Sequence, residues 1–330
     1  MHGKAWHTFD LSAKRFLVTG GAGFIGSHLV DYLVKHGARE VRVLDDLSTG
    51  FIRNIEQHLD EKNFLLIRES ITDESSCRKA CAGIDFVLHH AALGSVPRSI
   101  DDPVSTHNVN ATGFLNMLVA AKEMNVKKFI YASSSSVYGD NEDEIKTEDR
   151  VGKALSPYAV TKKLNEQYGK VFADVYGMDI TGLRYFNIFG PRQSPTGAYA
   201  AAIPLFIDGL VNSKPVFING DGEQSRDFTF VENVVQANMK ACDAGNCAGE
   251  VFNIAAGGSI SVKEVFALLK KITGSEVNAQ HLPERKGEIR NSRADISKAK
   301  NAFGYSPGVN VEEGLKRTVE WFTGSSPYNR

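Results

Sequence analysis

The sequence predicts an α/β fold: a doubly wound parallel sheet followed by a smaller α/β unit. Three observations carry this reading. Short apolar runs at 15–19, 41–44, 64–67, 85–88, 127–132 and 180–184 have the length and composition of buried strands. Segments of helical periodicity separate them, and strand–helix alternation with short connections implies parallel pairing. From Gly190-Pro191-Arg192 onward, loops lengthen and elements become shorter. The expected division is therefore 1–190 and 191–330, with 231–255 returning to the first domain.

Bulk composition narrows the function. The 330 residues exceed the usual size of a single core. With 38 basic and 39 acidic residues, the net charge of −1 gives no global case for nucleic acid or an anionic membrane. The first 16 residues lack the apolar core of a signal peptide, and no run reaches transmembrane length, so a cytoplasmic location is expected. Cys77, Cys81, Cys242 and Cys247 lack the paired histidines of a zinc site. Reduced structural thiols and no metal are expected.

Residues 1–14 read as a short extension, a surface arm. The strand at 15–19 runs into Gly20-Gly21-Ala22-Gly23-Phe24-Ile25-Gly26, and an amphipathic helix follows to about His36, capped by Gly37. The next strand delivers Asp45 and Asp46 about 20 residues further on. A glycine triplet alone is weak, but strand, glycine loop, helix and acidic strand end together form the dinucleotide-binding fingerprint of a Rossmann-type sheet. Glycine lets backbone N–H groups approach a pyrophosphate, and the helix N-terminus adds partial positive charge. Asp45 would accept hydrogen bonds from a ribose and repel a 2′-phosphate, which selects NAD. Leu47, Ser48 and Gly50 complete this part of the cofactor set. Ser70 and Ile71 follow the third strand, with Ile71 as a wall for the adenine. Small Ala91 and Ala92, after the fourth, suit close passage of the cofactor, and Tyr185 ends the sixth. His89 and His90 are adjacent strand residues that face opposite ways, so packing is favoured over metal binding. A long helix is expected over 101–123.

The strand at 127–132 then enters Ser133-Ser134-Ser135-Ser136-Val137-Tyr138-Gly139, and Ser156-Pro157-Tyr158 opens another helix. Tyr158 and Lys162 lie four residues apart and project from one helix face. A cation beside a phenol favours the phenolate, lowers its pKa and makes a proton-transfer pair. The spacing occurs often by chance; it gains meaning because ligands of such sheets lie at the carboxyl ends of strands. In the second part, Asn187, Arg192, Gln224, Arg226-Asp227, Arg285, Glu288 and Arg290 concentrate in loops. Several arginines in loops of a near-neutral protein suggest a phosphate-bearing substrate.

Taken together, these motifs resemble the extended short-chain dehydrogenases/reductases over about residues 14–323. The matching segments are Thr19-Gly20-x-x-Gly23-x-x-Gly26, Ala91-Ala92, the serine run through Gly139, Ser156-Pro157-Tyr158, Leu183-Arg184-Tyr185-Phe186-Asn187 and Asn219-Gly220-Asp221-Gly222. Within that family the chain is most similar to nucleotide-sugar 4-epimerases, and to the bacterial UDP-N-acetylglucosamine 4-epimerases of polysaccharide biosynthesis. Gly94-Ser95-Val96-Pro97-Arg98-Ser99, Gly197-Ala198-Tyr199-Ala200-Ala201 and Arg293-Ala294-Asp295-Ile296-Ser297-Lys298-Ala299 carry that likeness.

The resemblance implies an isomerase. Tyr158, beside Lys162, removes the proton from the sugar O4, with Ser134 in the relay. C4 passes hydride to NAD, the 4-keto sugar turns, and hydride returns to its other face. It further implies substrate contacts at Ser95, Ala201 and Ser292, with Asn187, Arg226, Arg285 and Glu288 holding the UDP part. Ser135 and Ser136 are sugar contacts or structural hydroxyls. Related 4,6-dehydratases carry an Asp-Glu pair at their places, and UDP-glucuronate decarboxylases carry a glutamate, so the missing carboxylates favour epimerisation. A tyrosine walls the sugar pocket of glucose-restricted enzymes; alignment puts Ser292 there, which predicts UDP-GlcNAc/UDP-GalNAc as substrates, with UDP-Glc/UDP-Gal as further ones. A uronic acid form stays open through Ser95 or Arg98. A homodimer through helices 101–123 and 157–175 is also implied. The reading from a different class is a non-catalytic NAD-binding regulator, against which intact Ser134, Tyr158 and Lys162 argue.

Overall fold

Alternating faces of each strand divide the apolar residues of the chain between two cores. In the computed structural model, which describes residues 1–196, 200–284 and 291–324, the central sheet has seven strands. They are β1 (Arg15–Thr19), β2 (Glu40–Leu44), β3 (Phe64–Ile67), β4 (Phe86–His89), β5 (Lys128–Ser134), Ile180–Tyr185 and Glu250–Ile254. Their spatial order is Glu250–Ile254, Ile180–Tyr185, β5, β4, β1, β2, β3, and every pair is parallel. Phe16 and Val18 face a core shared with α1 (Phe24–Lys35) and the helix Val231–Asp243. Leu17 faces the opposite core, shared with α2 (Glu74–Cys81) and α5 (Gly113–Glu123). The winding direction reverses between β1 and β4, which is where a sheet of this type opens a crevice.

The remainder packs around Phe206, Ile207, Phe230, Leu269, Leu315 and Phe322. Beside it stands a four-stranded sheet of Ile260–Ser261, Ser225–Arg226, Asn291–Ala294 and Ile145–Lys146. The last of these comes from the loop between β5 and α6 (Pro157–Tyr176), so the first part of the chain lends a strand to the second. All four cysteines are free and buried. Among the described residues, no helix is long and apolar enough to cross a membrane.

Two expectations are corrected. Residues 1–14 are docked rather than a surface arm. His2 is buried at 2 % exposure, Phe9 stacks on Phe86 at 5.4 Å, and Tyr32 Oη accepts from Trp6 N at 2.7 Å. The aromatic and imidazole groups of the segment explain this, since they bury apolar surface while keeping a hydrogen-bonding edge. The helix expected over 101–123 is broken. α3 (Val96–Asp101) stops, Asp102 caps α4 (Pro103–His107), and a π-helical turn, Asn108–Thr112, leads into α5. Pro103 favours a helix start rather than an interior position. In the widened turn, Asn110 accepts from Leu93 N at 2.7 Å and donates to Leu93 O at 3.1 Å, and π-turns of this kind cluster at functional sites.

Candidate active site

The glycine loop is a steric requirement. Gly20 has φ +67°, and a Cβ there would lie 2.7 Å from Ala91 N. A Cβ on Gly26 would lie 2.1 Å from the carbonyl oxygen of Gly20. α1 begins directly after Gly23 with no side-chain cap, leaving its first N–H groups for a ligand. Asp45 is buried at the end of β2, where Oδ2 accepts from Ala22 N and Oδ1 from Leu47 N, both at 2.9 Å. Burial raises its pKa, and these two amides oppose the rise. Ile71 is buried against α5, where only a glycine fits: a Cβ on Gly113 would sit 2.7 Å from its side chain.

These features open onto one cleft of about 830 Å³. Of the sequence-predicted set, it is lined by Gly20, Gly23, Phe24, Ile25, Gly26, Asp45, Asp46, Ser48, Gly50, Ile71, Ala91, Ala92, Ser95, Ser134, Ser135, Ser136, Tyr158, Lys162, Tyr185, Asn187, Arg226 and Ser292. Leu47, Ser70, Arg98 and Ala201 are not among the lining residues. Arg285, Glu288 and Arg290, and positions 197–199 of the motif before Ala201, lie outside the described residues. The glycine cradle, the open helix N-terminus and the buried acceptor Asp45 together fit NAD.

The predicted histidine pair packs. His89 Nδ1 lies 2.9 Å from Thr19 Oγ1 on one side, and His90 Nε2 lies 2.8 Å from Tyr185 Oη on the other. Burial lowers both pKa values, that of His90 to about 4, so both rings are neutral. Tyr185 Oη also accepts from Asn238 Nδ2 at 2.8 Å, which holds its ring in place beside the cleft.

The candidate proton-transfer groups converge because β5 ends and α6 begins at the cleft. Ser134 Oγ accepts from Ser136 N at 3.1 Å and turns the chain into a 3₁₀ segment, Ser135–Tyr138. Ser156 Oγ caps α6 through Ala159 N at 3.1 Å, and Pro157 occupies its first turn. The Ser134 hydroxyl acts on Tyr158 in the direction that favours its phenolate. Lys162 Nζ donates to Ala132 O at 2.8 Å and stands 5.8 Å from the Tyr158 ring centroid. The expected lowering of the Tyr158 pKa does not come from the chain's own groups: burial raises it, and the Ser134 hydroxyl offsets only part of that. Burial likewise lowers the Lys162 pKa to about 8, against the raising effect of Glu166. Ser136 Oγ lines the cleft, buried and without a hydrogen-bond partner.

The second part of the chain reaches the same cleft from the opposite side. Ser225–Arg226 pairs with Asn291–Ala294 in a register that sets Arg226 beside Ser292. Asn187 adopts φ +40° and donates to Asp227 O at 3.3 Å. Two other predicted polar residues are engaged in structure: Arg192 pairs with Asp31 at 2.8 Å, and Gln224 donates to Asn219 O at 2.8 Å. Asp227 accepts from the backbone of Ala256, Gly257 and Ala294, and burial raises its pKa to about 6. Sequence reasoning missed Gln193, which lines the cleft with a buried, unpartnered Oε1. It also missed Glu166 and Arg184 behind the serine turn; the four-residue spacing of Glu166 from Lys162 was the available signal.

Comparison with known proteins agrees with this architecture. Residues 16–255 match the model of the NAD dependent epimerase/dehydratase family. The chain is 40 % identical to a UDP-glucose 4-epimerase from Thermotoga maritima solved with UDP-glucose, covering 94 % of this chain and 98 % of that one, with a TM-score of 0.88. It is 38 % identical to a UDP-N-acetylglucosamine 4-epimerase from Methanobrevibacter ruminantium solved with UDP-N-acetylmuramic acid, covering 95 % and 99 %, with a TM-score of 0.90. It is 34 % identical to a UDP-glucuronic acid 4-epimerase from Bacillus cereus solved with UDP-glucuronic acid and NAD, covering 94 % and 99 %, with a TM-score of 0.87.

Proposed function

Because the chain belongs to the NAD dependent epimerase/dehydratase family, as a UDP-sugar 4-epimerase and hence an isomerase, we propose that it interconverts UDP-GlcNAc and UDP-GalNAc, with UDP-Glc/UDP-Gal as slower substrates. The observation that carries this choice is Ser292, a small side chain held beside Arg226 on the cleft wall. A small residue there leaves room for an N-acetyl group, whereas a tyrosine would fill the space. Of the two candidate partners for a uronic acid carboxylate, Ser95 lines the cleft and Arg98 does not. Ser292→Tyr is expected to abolish conversion of the N-acetylated pair while plain hexoses still turn over, measured by resolving the products of each UDP-sugar separately. Equal loss on both pairs would overturn the assignment.

In the proposed chemistry, Tyr158 takes the proton of the sugar O4 through or beside Ser134 and later returns it to the inverted alcohol. Bound NAD supplies the hydride acceptor and donor at C4. Gly20, Gly23 and Gly26 would hold it by backbone contact, Asp45 would bind its ribose, and Ile71 would wall its adenine. Lys162 fixes positive charge beside Tyr158, and its bond to Ala132 O holds it there. Ser136, with a free hydroxyl, is assigned as a sugar contact. Asn187 and Arg226 hold the UDP part, so the keto sugar can turn while its nucleotide stays anchored. Neither Ser135 nor Ser136 supplies the carboxylate that elimination or decarboxylation would need. Residues 1–190 with 231–255 are assigned to the cofactor and the rest of 191–330 to the nucleotide sugar.

A homodimer is part of the proposal. Ile100, Val104, Val160, Val171 and Val175 are exposed on α3, α4 and α6, with Val104 at 68 % and Val175 at 66 %. The three valines of α6 share one face, and such a stripe suits burial against a second copy. Light scattering is expected to give twice the 36.1 kDa chain mass, and Val171→Glu with Val175→Glu to give the monomer. A monomeric wild-type protein would count against this assembly.

A further inference from the structure

Behind the Tyr158–Lys162 face, a partly buried glutamate and a buried arginine that sequence reasoning did not single out hold the site from the rear. Glu166 stands one turn beyond Lys162 on α6, so Tyr158, Lys162 and Glu166 form a ladder at four-residue spacing. Its Oε1 accepts from Ser133 Oγ at 2.5 Å and from Arg184 Nε at 2.8 Å, and its Oε2 accepts from Arg184 Nη2 at 2.9 Å. The pair is bidentate, with side-chain exposures of 4 % for Arg184 and 13 % for Glu166. Arg184 Nη1 donates onward to Tyr138 Oη at 3.1 Å and to Glu148 O at 2.9 Å. Ser133 precedes the hydroxyl that touches Tyr158, and Tyr138 closes the same 3₁₀ turn. One ion pair therefore fixes both ends of the segment that presents Ser134, Ser135 and Ser136.

The charges around Lys162 show why a carboxylate belongs there. His89, at the end of β4, and His90, just after it, are neutral, and from β5 the group offered is the Ala132 carbonyl. From α6, Tyr158 is a protonated phenol. Glu166 is the carboxylate that acts on the ammonium, while Arg184, on the strand Ile180–Tyr185, is taken up by Glu166.

We propose that Glu166, anchored by Arg184, is a positioning residue for the epimerase reaction: it keeps Lys162 charged beside Tyr158 and sets the orientation of the Ser134 turn. The inference rests on Tyr158 being the proton-transfer group and Lys162 its charged neighbour.

The pH dependence follows with a definite sign. Burial favours neutral Lys162, so its charge, and with it the activity, is lost as pH rises through its pKa near 8. Removing the Glu166 charge lowers that pKa further. In Glu166→Gln, the alkaline limb of kcat is expected to move down by about one pH unit, with KM for the UDP-sugar changed by less than about threefold. Glu166→Gln leaves Arg184 buried without its counter-ion, which endangers folding. The double variant Glu166→Gln/Arg184→Met removes both charges and decides the matter wherever the single variant does not fold. An alkaline limb superimposable on that of the wild type in the folded variant would overturn the proposal and leave the pair a purely structural one. A Tyr158→Phe protein that still turned over would instead sink the underlying proton-transfer reading, whatever the Glu166 variants did.

Discussion

Replacing Tyr158 by phenylalanine is expected to lower kcat by about 10²- to 10⁴-fold, the usual contribution of a positioned acid–base group, while the protein stays folded and retains its NAD. The substitution removes one oxygen and keeps the ring that packs in the cleft. The lost oxygen is the phenol on which the Ser134 hydroxyl acts. Among the described lining residues, Tyr158 is the phenol placed between the serine turn and Lys162. Burial raises its pKa, and the positive charge of a bound oxidised NAD would bring it toward the phenolate. Activity is accordingly expected to rise with pH along the acid side as the phenol ionises, and Tyr158→Phe to erase that limb. Steady-state rates across pH, with NAD content measured on the same samples, check both points. A variant within tenfold of wild type would place the base elsewhere.

Gly26→Ala is expected to give a folded protein that no longer holds NAD. The added methyl group would sit 2.1 Å from the Gly20 carbonyl oxygen, a backbone atom that cannot step aside without opening the loop. Overpacking of this kind costs about 1–3 kcal/mol. Exacted in the loop that receives the pyrophosphate, the upper end corresponds to about a 100-fold loss of affinity. Chromatography of the nucleotide released on denaturation measures the loss, and circular dichroism checks the fold. A Gly26→Ala protein purified with full NAD would show that the loop grips the cofactor less tightly than its geometry implies.

Much of this was legible in the chain because it depends on local rules. Strand length, helical period, the glycine spacing and the acidic strand end fixed the sheet and its crevice, and four-residue spacing put Tyr158 and Lys162 on one face. Other features follow from contacts that no local pattern encodes. The π-turn brings Asn110 to Leu93, a partner 17 residues away, whereas the break at Pro103 was a local signal that the helical period masked. The docking of residues 1–14 depends on Tyr32 and Phe86, which receive their ring and hydrogen-bonding groups. The sign of the Tyr158 shift could not be read from a neighbouring lysine, because it is set by burial, a property of the whole fold, with the Ser134 hydroxyl opposing. Glu166 and Arg184 were invisible for the same reason: their pairing joins a helix to a strand 18 residues on.

The exchange of strands between the two halves sets how this architecture is open to recombination. The strand Glu250–Ile254 completes the large sheet beside Ile180–Tyr185, and Ile145–Lys146 completes the small one beside Asn291–Ala294. A single crossover near residue 190 would strip the large sheet of its edge and leave Val234, Val235 and Met239 of the returning helix without the core they fill. A hybrid that grafted another sugar-binding half would need several matched junctions, and the insert would have to accept a strand from its host. New specificity is therefore expected more readily from point changes along the cleft wall, Ser292 being the position proposed above, than from exchanging whole modules.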